Sequence, residues 1–258
     1  MMLSDNKGES VKQDDFHYIG GSLEQSLAGK TKLDLKVLAR EAWSLSQNAK
    51  GPLLQGAIII LVLGLILISG LQHIFAIDDW TMASPRVRLI LQVCMTILTA
   101  PFVAAMLMIG ISHSVGEKPT FSLVISKVLS SALVVLLALL VSVLVDLGFA
   151  LFLLPGLYLG LATGFSMMLY IEKRLPPSQA ILQSIKVFNR YWLPLSVFYV
   201  IIFVLFLLGM FTFGLAYIWI IPFYFNFKGV LYRELFGIKV RLVQVQSNGA
   251  QGDSIFHA

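Results

Sequence analysis

Residues 51–77 read GPLLQGAIIILVLGLILISGLQHIFAI, a run without Asp, Glu, Lys or Arg. The hydrocarbon core of a bilayer is about 30 Å thick, so a helix needs about 20 consecutive apolar residues to cross it. Leu, Ile and Val follow one another here without the alternation of polar and apolar positions typical of a transmembrane β-strand. A helix also pairs its backbone groups within one segment, as the bilayer requires. The run therefore predicts a membrane-spanning α-helix.

Further uncharged runs follow the first one, at residues 89–116, 128–145, 147–171 and 191–227. The last of them is long enough for two helices and a tight turn. The chain is 57% hydrophobic and only 13% charged, whereas a soluble domain carries about 25% charged residues. We therefore predict an all-α integral membrane protein with six spans. The predicted spans cover residues 52–77, 89–115, 128–150, 154–171, 191–208 and 212–229.

The basic residues predict the orientation of these spans. Of the 19 Lys and Arg residues, 17 lie before the first predicted span or at the ends of the second, fourth and sixth spans. Lys228 is counted with those at the end of the sixth span. Only Arg86 and Arg88 lie on the opposite side. Because cytoplasmic loops are enriched in Lys and Arg, both termini are expected to be cytoplasmic. The basic excess is thus a topology signal, and no nucleic-acid partner is predicted.

An amphipathic segment precedes each predicted pair of spans. The first covers residues 32–48, and the other two carry apolar stripes at helical spacing. These stripes are Phe121, Ile125 and Val128, and then Ile181, Ile185, Phe188 and Trp192. Basic side chains off the stripes are predicted to face anionic headgroups, and these are Lys36, Arg40, Lys127, Lys186 and Arg190. The spans would then form three helical hairpins in a weak threefold repeat, each introduced by an interfacial helix.

The two ends of the chain are polar. Residues 1–30 and 244–258 contain too few apolar side chains to bury a core, so both segments are expected to be disordered. Residues 31–243 form the predicted membrane domain. The first apolar run begins only at Pro52, so no cleavable signal peptide is expected.

Small and acidic residues inside the spans are the candidate functional positions. Gly156, Gly160 and Gly164 recur every four residues and predict a groove for close helix packing, with a dimer interface or a substrate path as alternatives. Asp146 is the only acid deep inside an apolar stretch. It lies about 28 Å along a helix from Lys127. This depth predicts a solvated acid at the outer helix end, and a proton carrier or ion ligand is the alternative.

The sequence offers no catalytic or metal-binding pattern. His73, Asp78 and Asp79 are too loosely spaced for a metal site, which needs three or four convergent ligands. His113 and Glu117 lie four residues apart and predict an ordinary interfacial pair. No enzymatic activity, metal or cofactor is therefore predicted.

The second half of the chain resembles a known family. Residues 153–157 read LLPGL, residues 168–173 read MLYIEK, residues 184–188 read SIKVF, and the last span leads into YREL at residues 232–235. This order resembles the YciC-like uncharacterised bacterial inner-membrane proteins and the membrane domain of some glycerophosphodiester phosphodiesterases, over residues 121–237. The resemblance implies a bacterial inner-membrane location and a six-helix fold, but no activity and no catalytic residue.

Three functions remain open from the sequence. The first is a non-enzymatic envelope protein that organises lipids or partner proteins, with anionic lipids of the cytoplasmic leaflet as its partners. A homo-oligomer or a partner membrane protein is compatible with it. The alternatives are a small-molecule or ion transporter or channel, and a membrane-embedded enzyme acting on lipids.

Overall fold

A computed structural model of the protein describes residues 16–77, 84–129, 131 and 133–241. These residues form a nearly all-α fold with one small antiparallel sheet. In chain order its elements are β1 (Phe16–Ile19), α1 (Leu23–Leu27), α2 (Leu35–Asn48), α3 (Gly51–Ile74), α4 (Pro85–Ser114), α5 (Phe121–Leu129), α6 (Leu133–Leu151), α7 (Leu153–Ala162), α8 (Ser166–Lys173), α9 (Pro177–Arg190), α10 (Trp192–Phe211), α11 (Tyr217–Phe236) and β2 (Ile238–Arg241).

Five helical segments are long and apolar enough to cross a membrane. They are α3, α4, α6, α10, and α7 together with α8, which form one segment over Leu153–Lys173. Large apolar side chains on α3, α6 and α10 are exposed, as expected for surfaces that contact lipid. The observed helices lie within a few residues of the first five predicted spans, and α2 begins three residues after the predicted start of the first amphipathic segment.

The sixth predicted span, at residues 212–229, differs from the structure. The helix in this region, α11, begins at Tyr217 and ends at Phe236, and it is not among the five segments. It carries Asn226, Lys228 and Arg233, which lower its hydropathy, and most of its residues are buried. A helix enclosed by protein can carry polar side chains, because its neighbours rather than lipid contact them.

The helix α11 packs against α4 and α2 more extensively than against α10. At two glycines of its contact with α4, backbone lies directly against backbone. A Cβ atom at Gly110 would collide with the carbonyl oxygen of Phe225, and a Cβ atom at Gly229 would collide with the carbonyl oxygen of Gly110. One turn further along both helices, the Arg233 guanidinium donates to the Ser114 carbonyl oxygen. Residues further along α4 thus contact residues further along α11, so the two helices run in the same direction.

Arg233 ties three helices together at the end of α11. Its guanidinium makes a bidentate pair with the Glu41 carboxylate of α2, at 2.6 and 3.0 Å. It also donates to Glu234 at 2.8 Å and to the Ser114 carbonyl oxygen at 2.6 Å. Such planar, charge-assisted pairs fix orientation as well as position. The buried face of α2, formed by Leu38, Ala42 and Ser46, is therefore held within the core of the protein.

The prediction of disorder over residues 1–30 is wrong for the part that the structure describes. β1 pairs with β2 in antiparallel register, with Ile19 opposite Ile238. The amide of Gly21 donates to the Arg233 carbonyl oxygen, and the Ser26 hydroxyl donates to the Leu235 carbonyl oxygen at 2.6 Å. These hydrogen bonds, together with the packing of Ile19 and Leu23 against the core of the bundle, hold this segment in place. Residues 1–15, Asp78, Asp79 and the predicted tail at 244–258 lie outside the described residues.

The apolar face of α9 also differs in part from the predicted stripe. The buried residues are Ala180, Ser184, Val187 and Phe188. Trp192 is 60% exposed, and Ile181 and Ile185 are only partly buried. The buried face centres on small residues because α9 packs closely against α7 and α8.

Replacing either glycine of the α4–α11 contact by alanine should destabilise the protein. We expect Gly110→Ala or Gly229→Ala to lower the free energy of unfolding by about 3 kcal/mol, since the added methyl group meets rigid backbone. The measurement is thermal unfolding in detergent followed by circular dichroism. Gly70→Ala is the control, because nothing lies within 4 Å of a Cβ atom there. A loss as large for Gly70→Ala would contradict the packing argument.

Candidate functional site

A cavity of about 780 Å³ lies between α5, the last turns of α4, the start of α6 and the end of α8. Pockets for small molecules usually measure about 300–1,000 Å³. Most of the lining side chains are apolar, among them Met108, Leu123, Val134 and Ile171. The cavity therefore suits a ligand with an apolar body.

Two local features place the walls of this cavity. The helix α5 begins after Pro119 and Thr120, and its buried residues Phe121, Val124 and Val128 hold it against the bundle. On the opposite wall, α8 ends at Lys173 and is followed by Arg174, whose φ of 53° is left-handed. The chain then enters Pro176 and Pro177, which begin α9 rather than extend α8. The interfacial helix and the end of α8 thus remain apart, with the cavity between them.

The polar groups of the cavity include both charge signs. Lys127 and Arg174 are exposed and line it. Inside it, the Ser131 and Tyr170 hydroxyls share a hydrogen bond of 2.7 Å. Glu117 also lines the cavity, and its Oε1 atom is buried without a hydrogen-bond partner among the described residues. Two cations beside an apolar interior match an amphiphile with an anionic head and polar groups that hydrogen-bond to Glu117.

The predicted headgroup-facing residues have three different environments. Lys36, Arg40 and Lys186 are exposed on α2 and α9, as predicted for such a role. Lys127 lines the cavity. Arg190 is exposed, but its Nη2 atom donates to the Ala28 carbonyl oxygen at 3.3 Å. Part of its guanidinium is therefore used to hold the segment that follows α1.

Gly156, Gly160 and Gly164 do not form one continuous groove. Gly156 packs against Phe149 of α6 and lies close to Gly148, which supports the prediction of close helix packing at that position. Gly160 has only an ordinary contact with Val145. Gly164 lies between α7 and α8, against the Tyr199 hydroxyl of α10. The spacing failed as a groove signal because the helix is interrupted before its third glycine.

Ser184 of α9 satisfies the backbone at this interruption. Its hydroxyl accepts from the Phe165 amide at 3.1 Å and donates to the Ala162 carbonyl oxygen at 2.6 Å. Both groups are buried, and an unpaired buried backbone group costs about 1–3 kcal/mol. A membrane helix tolerates such a break when a neighbouring side chain pairs the freed groups. Ser184, which the sequence singles out only within the SIKVF segment of the family resemblance, is thus the residue that makes the break stable.

Asp146 is exposed on α6, and its Oδ2 atom accepts a hydrogen bond from Gln92 of α4. Gln92 lies near the start of α4 and Asp146 near the end of α6, so the pair joins neighbouring ends of these helices. The interpretation as a solvated acid at the outer end stays a prediction.

A buried polar chain links α4, α11 and α2. The Nδ1 atom of His113 and the Oδ1 atom of Asn226 are 2.8 Å apart, and Asn226 Nδ2 donates to the Ser46 hydroxyl at 3.1 Å. His113 is therefore bound across the α4–α11 contact, whereas the sequence paired it with Glu117. No pattern in the sequence singles out Asn226. Only the close approach at Gly110 brings these side chains together.

The five apolar helical segments define the class of this chain as a multi-pass α-helical membrane protein. Comparison with protein-family models, curated proteins and solved structures finds no match. Among the residues that the structure describes, no three His, Cys, Asp or Glu side chains are grouped closely enough to hold a metal ion.

Removing the Ser184 hydroxyl should destabilise the fold without changing its net charge. We expect Ser184→Ala to lower the free energy of unfolding by about 1–3 kcal/mol, because two buried backbone groups lose their partner. Denaturant titration in mixed micelles would measure it. Ser126→Ala is the matched control, since that exposed hydroxyl bonds only within its own helix. Equal stability of the two variants would show that Ser184 does not support the interruption.

Proposed function

We propose that this chain is a six-span protein of the bacterial inner membrane that binds an anionic lipid in the cavity between α5 and α8, without catalysing a reaction. The observation that carries the proposal is the combination of an apolar cavity of about 780 Å³ with Lys127 and Arg174 in its lining. Acyl chains would occupy the apolar interior, and the two cations would contact the phosphate. Ser131 and Tyr170 supply neutral hydrogen-bonding groups for the rest of the head.

The position of α11 supports six spans. It runs beside α4 in the same direction, as a second and a sixth span would. Its polar residues face protein, so it can cross a membrane at lower hydropathy than a helix that contacts lipid. The distribution of Lys and Arg supports cytoplasmic termini, and the resemblance of residues 121–237 to the YciC-like proteins supports the bacterial inner membrane.

This topology also explains how a lipid would reach the cavity. α5 is one of the three amphipathic helices, and such helices lie in the headgroup region. A cavity beside it would open where anionic headgroups of the cytoplasmic leaflet are found. Exposed Lys36, Arg40 and Lys186 would attract the same leaflet without forming the cavity. A small transporter is the second candidate, since the interruption between α7 and α8 resembles the broken helices that line transporter sites.

Neutralising the two cations of the cavity should weaken lipid binding. Each Lys or Arg near an anionic surface contributes about 1 kcal/mol, so Lys127→Gln with Arg174→Asn should lower the affinity for phosphatidylglycerol about thirtyfold. Asn is chosen at position 174 because it tolerates the left-handed conformation. Native mass spectrometry of the protein titrated with phosphatidylglycerol would measure the affinity.

The matched control is Lys186→Gln, an exposed lysine of α9 outside the cavity. Leu123→Trp fills the cavity without changing charge and should also weaken binding. Phosphatidylcholine should bind more weakly than phosphatidylglycerol and be insensitive to the charge variants. Equal affinity of wild type, the double variant and Leu123→Trp would refute lipid binding in this cavity.

The topology can be tested with single cysteines in a Cys94→Ser background. Thr212→Cys, in the exposed turn between α10 and α11, should react with a membrane-impermeant maleimide added to intact spheroplasts. Ser178→Cys, at the start of α9, should react only after permeabilisation. The reverse pattern would overturn the orientation, and reaction of both sites in intact spheroplasts would overturn six spans.

A further inference from the structure

Lys228 does not line the cavity in which lipid binding is proposed. The sequence placed it at the membrane surface after a sixth span, but its side chain lies in the core and the residue is 5% exposed. It follows Tyr217 by eleven residues, about 16 Å along α11. A buried ammonium group is costly unless an opposite charge or several polar groups compensate it.

The neighbours of Lys228 compensate its charge only in part. The Nζ atom donates to the Tyr224 hydroxyl at 3.2 Å. It also lies 5.4 Å from the Tyr224 ring centroid and 5.7 Å from that of Phe165. Cation–π contacts of this kind contribute about 2 kcal/mol when desolvated, and neither ring carries a formal charge. Within the described part of the chain, no carboxylate forms an ion pair with Nζ.

Two buried hydroxyls in the same region lack hydrogen-bond partners among the described residues. They are Tyr199 Oη and Ser166 Oγ. The Tyr199 hydroxyl reaches the interruption between α7 and α8 because Gly164 has no side chain there. Lys228 reaches the same interruption, since its Nζ atom faces the ring of Phe165. Ser166 is 1% exposed and directly follows Phe165, whose ring contacts Lys228. It is also the first residue of α8, where the helix dipole is positive.

We propose that Lys228, Tyr199 and Ser166 bind a small monovalent anion, of the size of chloride, beside the interruption between α7 and α8. The ammonium group supplies one positive charge, which balances one negative charge. The two hydroxyls have donor hydrogens that the described residues leave unused, and an anion accepts both. The Phe165 ring that faces Nζ is fully buried, and a close-packed interior of this kind favours a monatomic ion over a bulkier one. This proposal does not depend on lipid binding at the α5–α8 cavity.

Halide-dependent thermal stability of the purified protein in detergent tests the site. The probe is sodium chloride or bromide, titrated from zero against sodium gluconate at constant ionic strength. A ligand that binds only the folded state stabilises it, so wild type should show a saturable rise in Tm of about 3–8 °C. Lys228→Met should abolish the rise. Tyr199→Phe and Ser166→Ala should each shift the half-saturating halide concentration upward about tenfold.

Tyr158→Phe is the control, because that hydroxyl bonds Asn189 away from the site, and it should keep the wild-type response. If Lys228→Met does not fold, two other measurements test the site. They are the half-saturating halide concentration of Tyr199→Phe and the anomalous signal of bromide in crystals of the wild type. A bromide peak within hydrogen-bonding distance of Lys228 Nζ would support the site. A Tm that is equal in halide and gluconate, or a Lys228→Met protein that keeps the response, would overturn it.

Discussion

At Gly110 and Gly229 the backbones of α4 and α11 touch without a side chain between them. This approach sets the position of α11, and the position of α11 sets most of what surrounds it. It brings Asn226 within hydrogen-bonding distance of His113, and it lets Arg233 reach both Ser114 and Glu41. Small residues are the usual means of close helix packing in membranes, where burial of apolar surface contributes little between helices. Here one of the two helices in that contact, α11, carries polar residues that lower its hydropathy, so its sequence does not stand out as an apolar span.

An interior helix follows different rules from one that contacts lipid. On α3 and α10, lipid would surround most of the surface, and the sequence is almost continuously apolar. On α11, the neighbours are α4 and α2, so Asn226 finds partners and Lys228 contacts aromatic rings. The interruption between α7 and α8 illustrates the same rule for the backbone, since Ser184 supplies the hydrogen bonds that a regular helix would make. Polar chemistry thus concentrates where protein replaces lipid.

The sequence predicts the parts of this fold that depend on local composition. Long runs with few or no charges mark five apolar helices, because a charge is costly in the part of a helix that crosses the hydrocarbon core. The elements it misses depend on contacts between distant segments. From the sequence alone, the polar residues of α11 indicate that a span has ended. In the fold the helix continues, because α4 and α2 surround these residues. The glycines at 156, 160 and 164 predict one groove only if the helix continues, and the break at Thr163–Phe165 prevents that. The cavity also joins Glu117, Lys127 and Arg174 from three segments. From the sequence, Lys127 is predicted to contact headgroups and Glu117 to pair with His113, and no local pattern links the three residues.

The pairing of β1 with β2 has a consequence for the order of events during synthesis. Ile19 leaves the ribosome early, but its partner Ile238 is made only after every membrane helix described here. Closing so long a loop is slow compared with forming contacts between neighbouring helices. The strand β1 must therefore remain unpaired while the bundle is inserted, and the two-stranded sheet closes last. Formation of this sheet therefore requires that α11 has already been synthesised.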